Sequence, residues 1–367
     1  MAPTPNPRLL YAKIPSEELP VAGEHLVFDP KPTIDLDVEL KSGQFLTKTL
    51  LLSPEPYMRE RLRDQSIISY STPMVLGQPL VGFGLVVVVR SEKEGVKAGD
   101  YMFGFTPWEH YTVQPYVDAR VDYTGYPAYT FDMDLLVLQP VPDPQGAFPW
   151  TAYVTALGCP ALTAFIGVEK LSGAKKGETI YVSAGASGVG SIVIQLCKIK
   201  GLKVIASAGS DSKVEFLRSI GADVAFNYKT TPVAKALKEH GPLDLYFDNV
   251  CGEQLEAAID NMNMNGRVLC CGAISEYNIP REERYGVKNL SLVFKRRISF
   301  QGFIVADSPE MNARFFAEIP PLVAQGKIKT EAHEFKGLEN GAAAFLSMFD
   351  GSATARPVLV VDPQYGS

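Results

Sequence analysis

YVSAGASGVGSIVIQL, residues 181–196, sets glycines at 185, 188 and 190 between two apolar runs, the second with helical spacing. An apolar strand that ends in a glycine-bearing turn and continues as an apolar helix is the setting in which G-x-G-x-x-G binds a dinucleotide. The tight turn brings backbone N–H groups and the positive end of the helix toward a pyrophosphate, and side chains there would block the approach. Aligned this way the positions are Gly185, Ser187 and Gly190, so a serine stands where the middle glycine is expected. On the pattern alone, an ordinary glycine turn that packs a helix on a strand explains the loop equally well.

The next strand bears on the choice. An NAD-preferring site carries an acid for the ribose hydroxyls about 20 residues beyond the loop. Here that strand ends VIASAGSDSK (204–213), with Ala208, Gly209 and Ser210 at its end and Lys213 one helical turn on. Hydroxyl and ammonium groups in place of a carboxylate match a phosphate better than a bare ribose, which favours NADP(H). Asp211 falls where a helix cap belongs and is expected to satisfy backbone amides. A solvated helix residue is the plain alternative for Lys213.

Outward from this core the chain changes texture. Residues 1 to about 130 hold short β-type runs such as GFGLVVVVR (82–90) and YMFGF (101–105), an all-β pattern. From about Ala152, strand-period and helix-period segments alternate, among them TIYVSAG (179–185), KVIASAG (203–209), KVEFLRSIGA (213–222), DLYFDNV (244–250) and RVLCCGAI (267–274). That succession predicts a parallel, doubly wound sheet. After RISFQGFIV (297–305), a tail ending in RPVLVVD (356–362) is able to return to the first domain.

At 367 residues the chain is too long for one ordinary core and reads as two domains. A net charge of -6 without a basic block argues against a nucleic-acid surface and for a small-molecule partner. Gln145 to Val168 carries no charge, but Pro149, Gly158, Pro160, Gly167 and three threonines interrupt it. It is therefore expected to be a loop and a buried helix, with no membrane association. The N-terminus MAPTPNPRLLYAKIP has neither the order of a secretory signal nor the character of a transit peptide, so a cytoplasmic protein is expected. Cys159, Cys197, Cys251, Cys270 and Cys271 lack framework spacing, which suits reduced thiols.

Zinc needs three or four converging ligands. His25, His110, His240 and His333 are scattered, no C-x-x-C occurs, and no metal is expected. GASGV (185–189) fails as a nucleophile elbow because residue 189 is valine. Metal-free hydride transfer remains, with the cofactor carrying the chemistry.

Several longer stretches carry a family likeness: GQPLVGFGLVVVV (77–89), GDYMFGFTPWEHYTV (99–113), GCPALTAF (158–165), SAGSDSKVEFLRSIGADVAFNYK (207–229), YFDNVCGEQLEAAIDNMNMNGRVLCCGAISEYN (246–278) and GFIV (302–305). In this order, over nearly the whole chain, they resemble the zinc-independent medium-chain dehydrogenase/reductases. The branch is that of the NADPH-dependent alkenal double-bond reductases and prostaglandin (leukotriene B4 dehydrogenase-like) reductases. The resemblance implies an α/β fold with a Rossmann-type doubly wound parallel sheet plus a GroES-like β-barrel domain. Residues 1–140 and 310–367 would form the GroES-like substrate domain and 141–309 the Rossmann NADP-binding domain. It also implies a homodimer, for which KNLSLVFKRRISFQGFIV (288–305) offers an edge strand, although a buried central strand reads the same way.

Carried over residue by residue, the 2′-phosphate contacts fall on Lys213 and Tyr228 with Ser210 nearby. The fingerprint loop, with Ser187, sets Gly188, Val189 and Gly190 at the pyrophosphate. Asn249, Ala273, Ile274 and Ser275 line the nicotinamide side, with Phe303 a further neighbour. Tyr277 matches the tyrosine that hydrogen-bonds the substrate carbonyl, and Tyr57 in EPYMR matches a pocket-lining tyrosine. A neutral phenol suits the first role, because it donates to oxygen as enolate charge builds. Without the resemblance, a loop tyrosine packing on the surface is the simpler reading of Tyr277. Tyr57, Tyr70, Phe83, Trp108 and Tyr111 form the walls of an enone pocket or fill the β-domain core.

Three departures stand out. The zinc-dependent cousins carry Gly-His-Glu where this chain has Gly77-Gln78-Pro79, and their later ligand cysteine aligns with Cys159, which alone cannot hold zinc. The family's tail reads Gly-x-Asn-x-Gly-Lys, whereas GSATARP (351–357) puts Ala353 at the asparagine and Arg356 at the lysine, where Arg356 is positioned to compensate. Residues 121–150 are longer than the usual connection and are expected to reshape the substrate mouth. The activity implied is NADPH-dependent reduction of the C=C bond of α,β-unsaturated aldehydes and ketones. A quinone reductase, a biosynthetic enoyl reductase and a non-catalytic NADPH-binding scaffold or sensor stay open beside it.

Overall fold

The β-type runs in the first third of the chain fold as antiparallel strands. The computed structural model describes residues 3–116 and 137–366, and the chain divides into two units. The first comprises Met1–Thr155, Ala332–Ala353 and Pro357–Ser367. Two small ribbons join β1 (Thr4–Pro5) to β4 (Thr33–Ile34) and β2 (Arg8–Tyr11) to β3 (Leu26–Asp29). The main sheet uses β5 (Phe45–Leu52), β6 (Val81–Ser91), β7 (Tyr101–Pro107), β8 (Tyr111–Gln114) and β9 (Gln139–Val141). From the end of the chain it adds β16 (Ala332–Lys336) and β17 (Arg356–Val360), in the order β16-β17-β5-β6-β7-β9.

One edge of β5 is shared: Phe45 to Lys48 pair β8, while Leu51 and Leu52 pair Val360 and Leu359 of β17. The last strand of the chain thus closes on the first unit. Trp108 is fully buried with Leu9, Met58 and Phe345, and Phe83 stacks on Phe103 at 5.6 Å. Of the five aromatics raised as pocket walls, these two belong to the core.

The second unit is Ala156–Glu331 with Thr354–Arg356. Its strands are β10 (Thr179–Val182), β11 (Lys203–Ala208), β12 (Val224–Asn227), β13 (Leu243–Asp248), β14 (Met262–Cys270) and β15 (Ser299–Gly302). All pair in parallel, in the order β12-β11-β10-β13-β14-β15, the Rossmann arrangement. Tyr181, Tyr246 and Phe247 are fully buried, as expected of strands covered by helices on both faces. The order reverses between β10 and β13, where a doubly wound sheet opens a crevice at its carboxyl edge.

The uncharged stretch 145–168 folds as a short 3-10 helix, Trp150–Val154, and a buried helix, Cys159–Ile166. No helix among the described residues is long and apolar enough to cross a membrane. Residues 121–136 of the long connection lie outside the described residues.

The helix Met311–Ala324, grouped by sequence with the tail, packs in the second unit. Its buried residues Met311, Phe315 and Ile319 recur every four positions, and Phe315 meets Phe165 edge-on at 5.6 Å. Phe315→Ala should therefore cost ~3–5 kcal/mol through the cavity left behind, read as a lowered urea midpoint for the second unit.

Candidate functional site

β10 runs into the turn 183–187 and out into the helix Gly188–Ile199. Ser187, the serine in place of the middle glycine, is the N-cap of that helix: its Oγ accepts the Gly190 N–H at 3.0 Å. Gly190 cannot carry a side chain, since a Cβ would lie 2.4 Å from the Ala184 carbonyl oxygen and 2.8 Å from the Gly185 Cα. Gly188 is cradled similarly, its Cβ position 3.0 Å from Arg356 Cδ and 3.1 Å from Pro160 Cβ. The helix end thus presents bare backbone beside a guanidinium that is only 7% exposed. A concave, donor-rich, positively poled turn of this kind fits a pyrophosphate.

At the end of β11, the Cβ position of Gly209 lies 3.1 Å from the Tyr228 hydroxyl. Ser210 caps the helix Asp211–Ser219, accepting the Lys213 N–H at 3.4 Å. This corrects the expectation for Asp211, which is the first helical residue. Ser210 holds the extended φ/ψ of -154°/158° that a cap requires. Asp211 instead accepts Asn227 Nδ2 at 2.8 Å. A hydroxyl, an exposed phenol and the residue bearing the ammonium therefore converge where an NAD site would set its acid.

Ser183 and Asp248 end the two strands that flank the reversal. Asp248 is 2% exposed, and its Oδ1 accepts Tyr246 Oη at 2.7 Å, Cys251 N–H at 2.8 Å and Val250 N–H at 3.0 Å. Burial pushes its carboxyl above the ordinary value, and those three hydrogen bonds oppose the shift. Asn249 donates its backbone N–H to Ser183 Oγ at 3.0 Å and its Nδ2 to the Ser183 carbonyl at 2.8 Å. Cys251 follows at φ 66°, ψ -157°, a backbone region that side chains rarely enter, held there by the Asp248 carboxylate. Burial raises the nearby thiols, Cys251 and Cys271 to about 12 and Cys270 to about 11.

The turn after β14 is laced to the turn after β13. Cys271 and Gly272 N–H donate to the Asp248 carbonyl, Ile274 N–H to that of Asn249 and Ser275 N–H to that of Val250. Tyr277 folds back so that its hydroxyl accepts the Ala273 N–H at 3.4 Å. Phe303 meets Phe247 edge-on at 6.2 Å, so it joins the same neighbourhood.

The structure thus gathers Asn249, Ala273, Ile274, Ser275, Tyr277 and Phe303 around the ends of β13 and β14, and Ser187, Gly188, Val189, Gly190 and Arg356 around the first turn. Tyr57 belongs to the first unit, where it precedes the short helix Met58–Arg61 and packs on the Trp108 cluster. Cys159 opens the helix Cys159–Ile166 as a partly buried thiol outside any disulfide. Among the described residues, no three or more His, Cys, Asp or Glu gather as metal ligands. Sequence reading missed Ser183, Tyr246 and Asp248. Their signal was available, since each is a polar group in or just beyond an apolar strand end, in IYVS and YFDN.

Residues 188–319 match the family model described as zinc-binding dehydrogenase, and residues 35–120 the one described as the N-terminal domain of oxidoreductase. The chain is 37% identical over 370 residues, 98% of each sequence, to "Dehydrogenase FUB6" of Gibberella moniliformis. It is 34% identical over 333 residues, 90% of each sequence, to the NADP(+)-dependent 2-alkenal reductase of Nicotiana tabacum. CurA from Vibrio vulnificus, solved in complex with NADPH, superposes with a TM-score of 0.81 at 26% identity, covering 97% of this chain and 99% of that one.

The turn geometry sets an order of severity. Ser187→Ala should cost about 1 kcal/mol, the ordinary worth of an N-cap. Gly190→Ala should cost more, because its new methyl meets backbone rather than a flexible side chain. Denaturant titration of both variants checks this, and a Gly190→Ala protein as stable as its parent would contradict the tight turn.

Proposed function

The chain belongs to the medium-chain dehydrogenase/reductases, the family of the zinc-binding dehydrogenase model it matches, and on that premise we propose that it is an NADPH-dependent reductase of the C=C bond of α,β-unsaturated aldehydes and ketones. The observation that carries this reading is the convergence, at the carboxyl edge of one parallel sheet, of a capped glycine turn, a hydroxyl–phenol–lysine cluster and a phenol folded over the 272–275 turn.

When bound, the cofactor supplies the hydride that the β-carbon receives. In this reading Ser187, Gly188, Val189 and Gly190, with Arg356 alongside, take the pyrophosphate. Ser210, Lys213 and Tyr228 take the 2′-phosphate, for which charge-assisted hydrogen bonds are strong. Asn249, Ala273, Ile274, Ser275 and Phe303 border the nicotinamide. Tyr277 donates to the carbonyl oxygen as enolate charge builds, and solvent delivers the proton to the α-carbon. Because its oxygen accepts the Ala273 N–H, its own O–H is polarised toward donation. Tyr57 is assigned to substrate binding within the first unit, which serves as the GroES-like substrate domain, while the second serves as the Rossmann NADP-binding domain. A cytoplasmic location suits five cysteines that form no disulfide.

The test follows NADPH oxidation by purified protein against alkenals, cyclic and aryl enones, quinones and saturated aldehydes, with NADH and a chelator in parallel. Chelator-insensitive, NADPH-selective reduction of enones is expected, and Tyr277→Phe should lower kcat about 10²-fold, as loss of one oxyanion donor does. Turnover of quinones alone would make the protein a quinone reductase. NADPH binding without turnover of any acceptor would make it a scaffold or sensor.

We also assign a second copy of this chain to the β15 edge. β15 ends the six-stranded sheet and is exposed along its length, with Phe300 38%, Leu290 54% and Phe294 72% exposed around it. An exposed strand edge flanked by apolar side chains is a template for pairing. Light scattering should give twice the chain mass, falling to one chain in the Phe294→Lys/Phe300→Lys double variant, and a monomeric parent would refute the assignment.

A further inference from the structure

The end of β13 holds a buried acid that the reaction outlined above does not use. Asp248 is buried, and three donors converge on its Oδ1, an arrangement that suits an acceptor-only carboxylate. No Lys, Arg or His among the described residues pairs with it, and the charge it feels, that of Glu276, has the same sign. A buried carboxylate without a cation is among the costliest groups a fold can hold. An asparagine of the same shape would accept the Val250 and Cys251 N–H groups without that cost. The hydrogen bonds alone therefore do not account for an acid here.

Its place in the sheet suggests what does. Asp248 is the last residue of β13, and Ser183 directly follows β10; these are the two strands between which the order reverses. Doubly wound sheets bind their dinucleotides in the crevice at that point. Tyr246 Oη, 2.7 Å from the Asp248 carboxyl and 3.1 Å from Ser183 Oγ, ties the two strand ends together, so the acid is fixed in position before any ligand arrives. Transfer of a hydride from a neutral dihydronicotinamide to the β-carbon of an enone leaves one positive charge on the pyridinium ring and one negative charge on the enolate. A solvent proton at the α-carbon then discharges the enolate, and the positive charge stays behind.

We propose that Asp248 is a preorganised counter-charge for the oxidised nicotinamide, favouring NADP+ over NADPH and so easing hydride loss. The inference rests on the cofactor assignment made above. It adds an electrostatic group that neither the fingerprint turn nor the tyrosine supplies, and a preorganised charge needs no reorganisation as the hydride leaves. Tyr246 is the positioning residue, holding the carboxylate against the strained Cys251 turn.

Calorimetric titration of the unliganded protein with NADP+ and with NADPH, in separate runs, reads this without turnover. In Asp248→Asn the ratio Kd(NADP+)/Kd(NADPH) should rise about fivefold or more, the lower end of ordinary coupling between two interacting groups. Its melting temperature should not fall, because the buried charge has gone and the acceptor remains. If that variant does not fold, Asp248→Ser carries the same comparison. An unchanged ratio with both nucleotides still bound would overturn the proposal and leave Asp248 as a turn-forming residue only. Parent protein that binds neither nucleotide would sink the cofactor reading and this inference with it. Parent protein that binds both but reduces no enone sinks only the substrate assignment, and the ratio still decides the role of Asp248.

Discussion

The second unit depends on how closely one helix is allowed to approach one strand. At Gly190 the first turn of the helix Gly188–Ile199 comes so near the Ala184 carbonyl that no Cβ fits. That proximity aims the helix's unpaired N–H groups at the carboxyl edge of the sheet, where the strand order reverses. Ser187 then satisfies one of those groups and leaves the neighbouring backbone bare. The remaining features of the site, from the Ser210, Lys213 and Tyr228 group after β11 to the paired turns after β13 and β14, are arranged along the same edge.

Two kinds of interaction hold that edge. Backbone hydrogen bonds from the 271–275 turn to the carbonyls of Asp248, Asn249 and Val250 fix one loop to its neighbour. Side chains behind them, Tyr246, Ser183 and Asp248, form a buried polar set on a sheet whose Tyr181 and Tyr246 rings stack at 5.0 Å. Such a set is worth having only when every member is satisfied. The strained backbone at Cys251 persists because the Asp248 carboxylate accepts its N–H.

Much of this was legible in the sequence, for reasons that differ from element to element. The glycine turn was readable because its requirement is local: a strand, a tight corner and a helix within 16 residues. The sheet was readable because its central strands are mostly apolar and separated by helix-spaced segments. The cap after β11 was not, since Ser210 and Asp211 are adjacent and both are good cap formers, and only backbone dihedrals choose between them. The allegiance of Met311–Ala324 was hidden for another reason. An amphipathic stripe announces that a helix buries one face, but not against what. Asp248 was passed over because an acid at a strand end looks solvated until burial is known.

The cysteines have a consequence for durability. An α,β-unsaturated carbonyl is a soft electrophile that adds to thiolates, so a protein that processes such compounds is at risk of alkylating itself. Burial lifts Cys270 to about 11 and Cys251 and Cys271 to about 12, so all three stay protonated at neutral pH. The packing that shapes the carboxyl edge of this sheet thereby also passivates it, keeping three potential nucleophiles chemically quiet.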